Sequence, residues 1–451
     1  MSFLLVPNEV ASDSANLWIG VVNEGVGLSD ASLMYNGNSF DLTQGWQTYR
    51  TRSGFNAVRY QHIKLQNLSP RTDYILEFST GGKSRASGRI RTLPEELPTI
   101  FERPFNVLLA SCFASSRSES ILLGSSYLNL QKYHNDKTDI KILCGDQVYL
   151  DDPAVYFLKN THSYNDLEDL LFANYVRTWT QNQFLTGFQQ FLQNGANFFS
   201  SDDHEFWNNA PNRATLIRDS WRRKGRENWL EIAKNLLGIF QPRSSKPTFN
   251  VGTLSFFNAD TRIDRDADRD KFMTTVDLLS IEHWVQTLKG VGVLIIGQPL
   301  FAEKAGFFGG RFGDWNLPNY EQYKDLVRIL NRTNHSILVL TGDVHYGRIS
   351  HCQVRPNIFI YEIISSPTAL VNPLVGGSWS EAPGLFPVNS IPGTVQKRVK
   401  SDFKYKETKN HFLTLSFQKE GGKTRIVLKV CEIAGNGQMP KPVKVDEFTL
   451  F

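Results

Sequence analysis

The stretch "KILCGDQVYLDDP", Lys141–Pro153, decides how the rest of the chain is read. "KILC" is an apolar run of the length of a buried strand; Gly145 breaks it, and Asp146, Tyr149, Asp151 and Asp152 follow at once. Strands that end in acids suit a layered α/β domain, because in open α/β sheets the carboxyl ends of the strands face a common crevice. The pattern recurs: "LLASC" ends at Cys112, "FFSSDDHE" carries Asp202, Asp203 and His204, and "LVLTGDVH" carries Asp343 and His345. Residues far apart in sequence are predicted to share one site.

Around that stretch, strand patterns alternate with helical ones. "FNVLLASC" reads as a strand, "SILLGSSYLNLQKYH" as a helix, and about Leu167 to Leu192 as helical material. Further strands are "NGANFFSSDD", "TLSFFNADTR", "GVGVLIIGQP" and "HSILVLTGD". "SIEHWVQTLKG" reads as a helix capped by Ser280 and stopped at Gly290, and "YEQYKDLVRILNRT" has helical spacing. The tail "HFLTLSFQKEGGKTRIVLKVCEI" reads as a hairpin turning at Gly421 and Gly422. Before residue 98 the pattern is short strands separated by Asn and Gly, with Leu68 and Tyr74 placed to cover the core of an antiparallel β-sandwich similar to immunoglobulin and fibronectin III modules. The prolines of "LPEELPTIFERP" form a linker, so the expected domains are 1–97, the β-sandwich, and 98–451, the α/β domain.

Composition narrows the function classes. A chain of 451 residues with 41% hydrophobic and 21% charged residues buries a sizeable core and is neither fibrous nor disordered. Its 49 Lys and Arg against 45 Asp and Glu leave +4, too weak a bias to point to nucleic acid. Cys112, Cys144, Cys352 and Cys431 are widely separated, unlike a disulfide scaffold, which fits a reducing compartment. "MSFLLVPNEV" has no basic segment before its short apolar run, and neither a signal peptide nor a membrane span is predicted; the expected location is the cytoplasm. Serine hydrolase, nucleoside-triphosphatase and dehydrogenase chemistry is not supported, since the Gly-x-Ser-x-Gly elbow, the phosphate loop and the Gly-x-Gly-x-x-Gly fingerprint are all absent.

Converging carboxylates repel one another unless cations lie between them, so a multi-metal centre is the simplest expectation. Asp oxygens and imidazole nitrogens suit such a centre, while a Cys thiolate and a Tyr phenolate favour a Lewis-acidic ion such as Fe(III) beside harder ions. Arg262, in "SFFNADTR", has the planar fork to grip two phosphate oxygens, with Asp260 placed to orient it.

"SC" at Ser111–Cys112, "GDQVYLDD" at Gly145–Asp152, "DDHEFWNN" at Asp202–Asn209, "DTR" at Asp260–Arg262 and "GDVH" at Gly342–His345 together resemble the PhoD-type alkaline phosphatase family of metallophosphoesterases, in order and spacing and over nearly the whole chain. The resemblance implies a four-layer αββα catalytic domain behind a β-sandwich, and a centre of Fe3+ and Ca2+ that hydrolyses small phosphate esters through attack of a metal-bound hydroxide on phosphorus. Carried over by motif, Cys112, Asp146 and Tyr149 hold the ferric ion, Asp203, Asp343 and His345 are further ligands, Asn208 or Asn209 completes a calcium site, and His204 is the acid at the leaving oxygen. The chain departs from the wider superfamily: Ser-Cys replaces its first Asp-x-His motif, Phe206 and Trp207 stand where a polar residue is expected and would narrow the pocket, and only His283 offers itself as a middle histidine ligand.

Other readings stay open. Asp151 and Asp152 either bind a further ion or cap the segment at Pro153. Cys144 is expected in the core and His351 away from the metals. "RDSWRRKGREN", Arg218–Asn228, reads as a solvated helix face or as an attractor for polyanions. A phospholipase-like diesterase would use an apolar rim such as Phe307, Phe308 and Phe312, and a ligand-sensing or docking protein would use the same fold without turnover.

Overall fold

The computed structural model describes residues 2–23, 25–158, 161–181, 187–243, 246–306, 314–370, 378–433 and 441–451. Phe307, Phe308 and Phe312 lie outside them.

The first segment forms β1 (Ser2–Val10), β2 (Ala15–Val22), β3 (Ser32–Tyr35), β4 (Asn38–Asp41), β5 (Gln47–Arg50), β6 (Ala57–Leu65), β7 (Asp73–Thr80) and β8 (Lys83–Arg91). They make two four-stranded antiparallel sheets, ordered β1-β2-β6-β5 and β4-β3-β7-β8. The period of two explains their placement: in β7, Tyr74, Leu76, Phe78 and Thr80 are buried while Ile75 and Glu77 face water. Leu68 and Tyr74 are both buried in this core.

The rest of the chain builds two mixed sheets from β9 (Phe105–Ala110), β10 (Ile140–Cys144), β11 (Ala196–Ser200), β12 (Thr248–Val251), β13 (Leu254–Asn258), β14 (Gly292–Ile295), β15 (Ile337–Thr341), β16 (Gly347–Arg355), β17 (Ile358–Ile364), β18 (Leu385–Phe386), β19 (Lys397–Glu407), β20 (His411–Glu420), β21 (Lys423–Glu432) and β22 (Val443–Leu450). One is ordered β11-β10-β9-β20-β21-β22, the other β12-β13-β14-β15-β17-β16-β19-β18. β9, β10 and β11 run parallel, as do β13, β14, β15 and β17. Being covered on both faces, β9, β10 and β15 are buried throughout and read as near-continuous apolar runs, interrupted at Asn106 and Lys141, rather than alternating ones.

Their inner faces share one core. Val107, Ile142 and Leu415 of the first sheet and Phe256, Ile295 and Leu340 of the second belong to the same apolar cluster. The Phe256 ring lies 6.2 Å from both Phe105 and Phe417. On the outer face of the first sheet pack the helices Leu123–Leu130, Tyr164–Trp179, Phe188–Gln193 and Arg223–Phe240. The helices Thr275–Thr287 and Tyr323–Asn331 cover the outer face of the second. Among the described residues, no helix is long and apolar enough to cross a membrane.

Two local expectations change. The helix expected to start at Ser280 starts at Thr275: Thr274 accepts the Asp277 N–H at 3.1 Å as its cap, and Ser280 turns its hydroxyl back to the Val276 carbonyl at 2.8 Å. The proline-bearing linker is no loose tether, since Leu93 and Leu97 are buried in the shared core and the Pro98 carbonyl accepts from Lys419 N at 2.7 Å.

Candidate metal centre

The residues singled out at strand ends come together. Cys112 follows β9, Asp146 follows β10, Asp203 and His204 open a short 3-10 turn after β11, and Asp343 and His345 follow β15. The loops meet so closely that only glycine fits at two of the joints. A Cβ on Gly145 would lie 2.4 Å from the Asp202 Cβ, and one on Gly342 would lie 2.3 Å from the Ser111 Cβ and 2.7 Å from the Cys144 carbonyl. Cys112, Asp146, Asn209, Asp343 and His345 all have positive φ, between 57° and 71°, a conformation that costs L residues energy and recurs where side chains must be aimed inward.

Glu205 locks two of these loops together. Its carboxylate accepts the backbone N–H groups of Asp146 (2.8 Å), Gln147 (2.6 Å), Val148 (3.3 Å) and Asp202 (2.8 Å). Below it a buried chain runs from Gln147 through Gln241 to Tyr175, in hydrogen bonds of 2.8 Å each. The sequence reading passed over Glu205, although Asp202-x-x-Glu205 has the spacing of a reciprocal capping box and forms one.

Among the described residues, two acidic groups could hold metal ions, and they share Asp203. One ligand atom from each of Asp146, Asp203 and His204 lies within 4.8 Å of the others, and so do atoms of Asp202, Asp203 and Asp314. Cys112 Sγ is 3.3 Å from Asp146 Oδ2 and 3.5 Å from the Asp343 carbonyl oxygen. The Tyr149 hydroxyl is 3.5 Å from His345 Nε2, and its ring lies 4.1 Å from that of His204. Asp343 Oδ2 accepts from Gln298 at 3.2 Å, and Gln298 also donates to Asp314.

The electrostatics fit bound cations. Burial first, and then Cys112, Asp203 and Asp202, push the Asp146 carboxyl well above the usual range against the pull of His204. Burial and the neighbouring carboxylates do the same to Asp343, and burial raises Asp203. Burial and Asp343 lift the Cys112 thiol to about 12, and burial, Cys112 and Asp146 carry the Tyr149 phenol well up. Such groups hold their protons unless positive charge replaces them. Asp202 Oδ2 is buried without a hydrogen-bond partner among the described residues, as an oxygen left for an ion would be. Burial and His204 lower His345 to about 4, which keeps its imidazole neutral and able to ligate.

Other candidates land elsewhere. Asp151 neither caps Pro153 nor joins an acidic cluster: it pairs with His204 Nδ1 at 2.7 Å and accepts from Asn208 N at 2.8 Å. Burial opposes a charge on His204, but Asp151, Asp203 and Asp146 outweigh it and raise the imidazole well above its usual value. Asn209 N donates to Asp203 Oδ2 at 2.7 Å, and the Asn209 side-chain amide donates to the Arg213 carbonyl at 3.3 Å.

Arg262 corrects the sequence reading. Its guanidinium is wholly buried: Nε donates to Asp202 Oδ1 and Nη1 to the Ala210 carbonyl, each at 2.7 Å, while Nη2 pairs with Asp202 and Asp314. No face is left to grip a substrate. Asp260 does not orient the fork either, because it accepts the backbone N–H of Arg262 at 2.9 Å and the Ser201 hydroxyl at 2.7 Å. Phe206 and Trp207 do not narrow a pocket; both are buried in the helix-side core, with Trp229 Nε1 bonded to the Phe206 carbonyl at 2.7 Å. His283 is exposed on the helix Thr275–Thr287, whose other side packs on the outer face of the second sheet. Cys144 is core and His351 stacks on Tyr361 at 4.8 Å, as expected.

No protein-family model matches the chain, and no curated protein matches it. Among solved structures, it is similar to one described as "Structure of PhoD", with a TM-score of 0.63 at 15% identity over 99% of this chain and 89% of that one. A glycosyl hydrolase family 2 member from Bacteroides cellulosilyticus follows at a TM-score of 0.21 and 8% identity over 99% of this chain and 63% of that one, too low to carry an argument. The chain has a PhoD-like fold.

Proposed function

We propose, from that fold and its strand-end acids, that the chain is a metal-dependent phosphoric ester hydrolase. The observation that carries the reading is the meeting of buried acids from three strand ends, Asp146, Asp203 and Asp343, beside Cys112, Tyr149 and His345, the kind of donor set a two-cation centre needs. Cys112, Asp146 and Tyr149 would supply the thiolate, carboxylate and phenolate that suit a ferric ion, and Asp203, Asp343, His345 and Asn208 or Asn209 the harder donors that suit calcium. Bound there, the ions supply Lewis acidity that makes water a nucleophile near neutral pH and offsets charge on the phosphoryl group.

The chain's own groups do the rest. His204, whose ring Asp151 fixes through Nδ1 and whose carboxylate neighbours favour its protonated form, is the group that would deliver a proton to the leaving oxygen. Glu205 and Gln298 hold the loops in register, and Arg262 offsets the charge of Asp202 and Asp314 behind the centre. The finer architecture in this proposal is four layers, helices–sheet–sheet–helices, over 98–451, with an immunoglobulin-like sandwich over 1–97. The helices on the outer sheet faces and the single inner core support it.

The test is turnover of a chromogenic phosphate monoester and diester side by side by the metal-loaded protein. Asp203→Ala and His345→Ala should each lower the rate on the order of 100-fold or more, as loss of a positioned catalytic group does; full retained rates in both would overturn the assignment. A ferric–phenolate centre absorbs visible light, so Tyr149→Phe should bleach the protein, and an unchanged band would remove Tyr149 from the ligand set.

A further inference from the structure

At the opposite end of the parallel strands from the acids lies a second concentration of charge. Asp139 directly precedes β10 and Gly195 directly precedes β11, whereas Asp146 and Asp203 follow those strands. A five-residue strand and its flanking residues put about 20 Å between the two ends. Here β8 of the first segment docks on the α/β portion: the Arg89 carbonyl accepts the Gly195 N–H at 2.6 Å, and Arg89 forms a bridge with Asn194.

Between them is a cavity of about 60 Å3 lined by Asp73, Arg89, Arg91, Lys137, Asp139 and neighbouring residues. A water needs about 10–15 Å3 on this measure, so there is room for several waters or one tetrahedral oxyanion. Arg103 stands behind Asp139, 2.9 Å away. Asp73 is shared by Arg89 at 3.1 Å, Arg91 at 2.9 Å and Lys137 at 3.7 Å. The three cations of the described lining, Arg89, Arg91 and Lys137, outnumber its two carboxylates by one, and Arg103, outside the lining, adds a second positive charge behind Asp139.

The arrangement is under-neutralised in detail as well. Arg91 Nε lies 3.0 Å from Asp139 Oδ1 but has no aligned hydrogen-bond acceptor. Burial lowers Lys137, and Arg89, Arg103 and Arg91 lower it further against the pull of Asp73. Cationic groups packed this way without enough acid are the setting in which a small anion binds.

We propose that this cavity is an anion site, separate from the metal centre, for a phosphate-class dianion. Its occupant joins arginines of β8 to the segment leading into β10, tying the first two sheets to the α/β portion. The surplus charge matches that of hydrogen phosphate, a product class of the proposed hydrolase, although the site stands without that reading.

Binding of labelled orthophosphate to the full-length, metal-loaded protein by equilibrium dialysis tests it, with Asp203→Ala accounting for phosphate held at the metal centre. Lys137→Gln, which loses only a long ion contact, and Arg89→Gln should each weaken the Asp203-independent binding at least tenfold while leaving ester turnover in place. Lys132→Gln, exposed on the same segment and outside the lining, should bind as the parent does. Unchanged affinity in both cavity variants, equal loss in Lys132→Gln, or no binding beyond the metal centre would each overturn the site. Absence of esterase activity would sink the hydrolase reading and leave this one standing.

Discussion

Removing Arg262 would leave Asp202 and Asp314 facing each other in a buried space. Breaking a buried ion pair from one side costs about 3–5 kcal/mol, so Arg262→Met is expected to show its main effect in urea unfolding. A substrate clamp would behave in the opposite way, with activity lost at unchanged stability. The sequence could not make this distinction, because Asp260 stands two residues from Arg262 while the partner that matters, Asp314, stands 52 residues on. Glu205 was legible in principle through its capping-box spacing, but the ligand pattern of "DDHE" drew attention to its neighbours. Glu205→Gln turns an amide toward donors that need an acceptor, and should cost about 1–3 kcal/mol. Because one of those donors belongs to Asp146 and the others to its neighbours Gln147 and Val148 and to Asp202, metal affinity measured by titration should fall with it; unchanged affinity would show that Glu205 supports the loops without setting the site.

At the level of elements, the strand ends were the readable part. An apolar run, a glycine and an acid identify a buried strand delivering a side chain to a crevice, as at Asp146 and Asp343, while Cys112 and Asp203 reach the same crevice from strand ends that carry no glycine. What the sequence withheld was why the glycines are there. Gly145 and Gly342 leave room for a neighbouring loop, and a methyl group at Gly342 meets Ser111 and the Cys144 carbonyl, which cannot both retreat. Overpacking typically costs about 1–3 kcal/mol. Gly342→Ala should therefore lower the melting temperature and also loosen the metal, since the displaced loops carry Cys112 and Asp146. A variant that melts lower but holds metal as tightly would mean that the loops shift as one body. The helix Thr275–Thr287 was misplaced for a related reason: Thr274 and Ser280 are both chemically suited to capping, and only the tertiary packing of Leu278, Ile281 and Trp284 decides between them.

For the whole molecule, the C-terminal hairpin was visible but its destination was not. β20 inserts beside β9 and extends a parallel sheet with antiparallel strands, a pairing of residues about 300 apart that no local pattern encodes. The consequence is a centre assembled from both halves of the chain, at the strand ends of two sheets, so its charge is a property of the entire fold. Without cations, burial holds Asp202 at about 6 and Glu205 at about 7, and it raises Asp146 and Asp343 well above the usual carboxylate range. Acids raised on folding favour the native state below their unfolded values near 4, and that contribution is lost as pH rises through 6 and 7. Metal ions act in the opposite sense, because they replace the protons those groups release. The gap in stability between metal-loaded and chelator-treated protein should therefore widen from pH 5 to pH 8, by about 1.4 kcal/mol per pH unit for each proton displaced. Calorimetry of metal binding in buffers of different ionisation enthalpy should show proton release at pH 6. A gap that stays constant over that range, with no protons released, would mean that Asp146 and Asp343 are not where the metal binds.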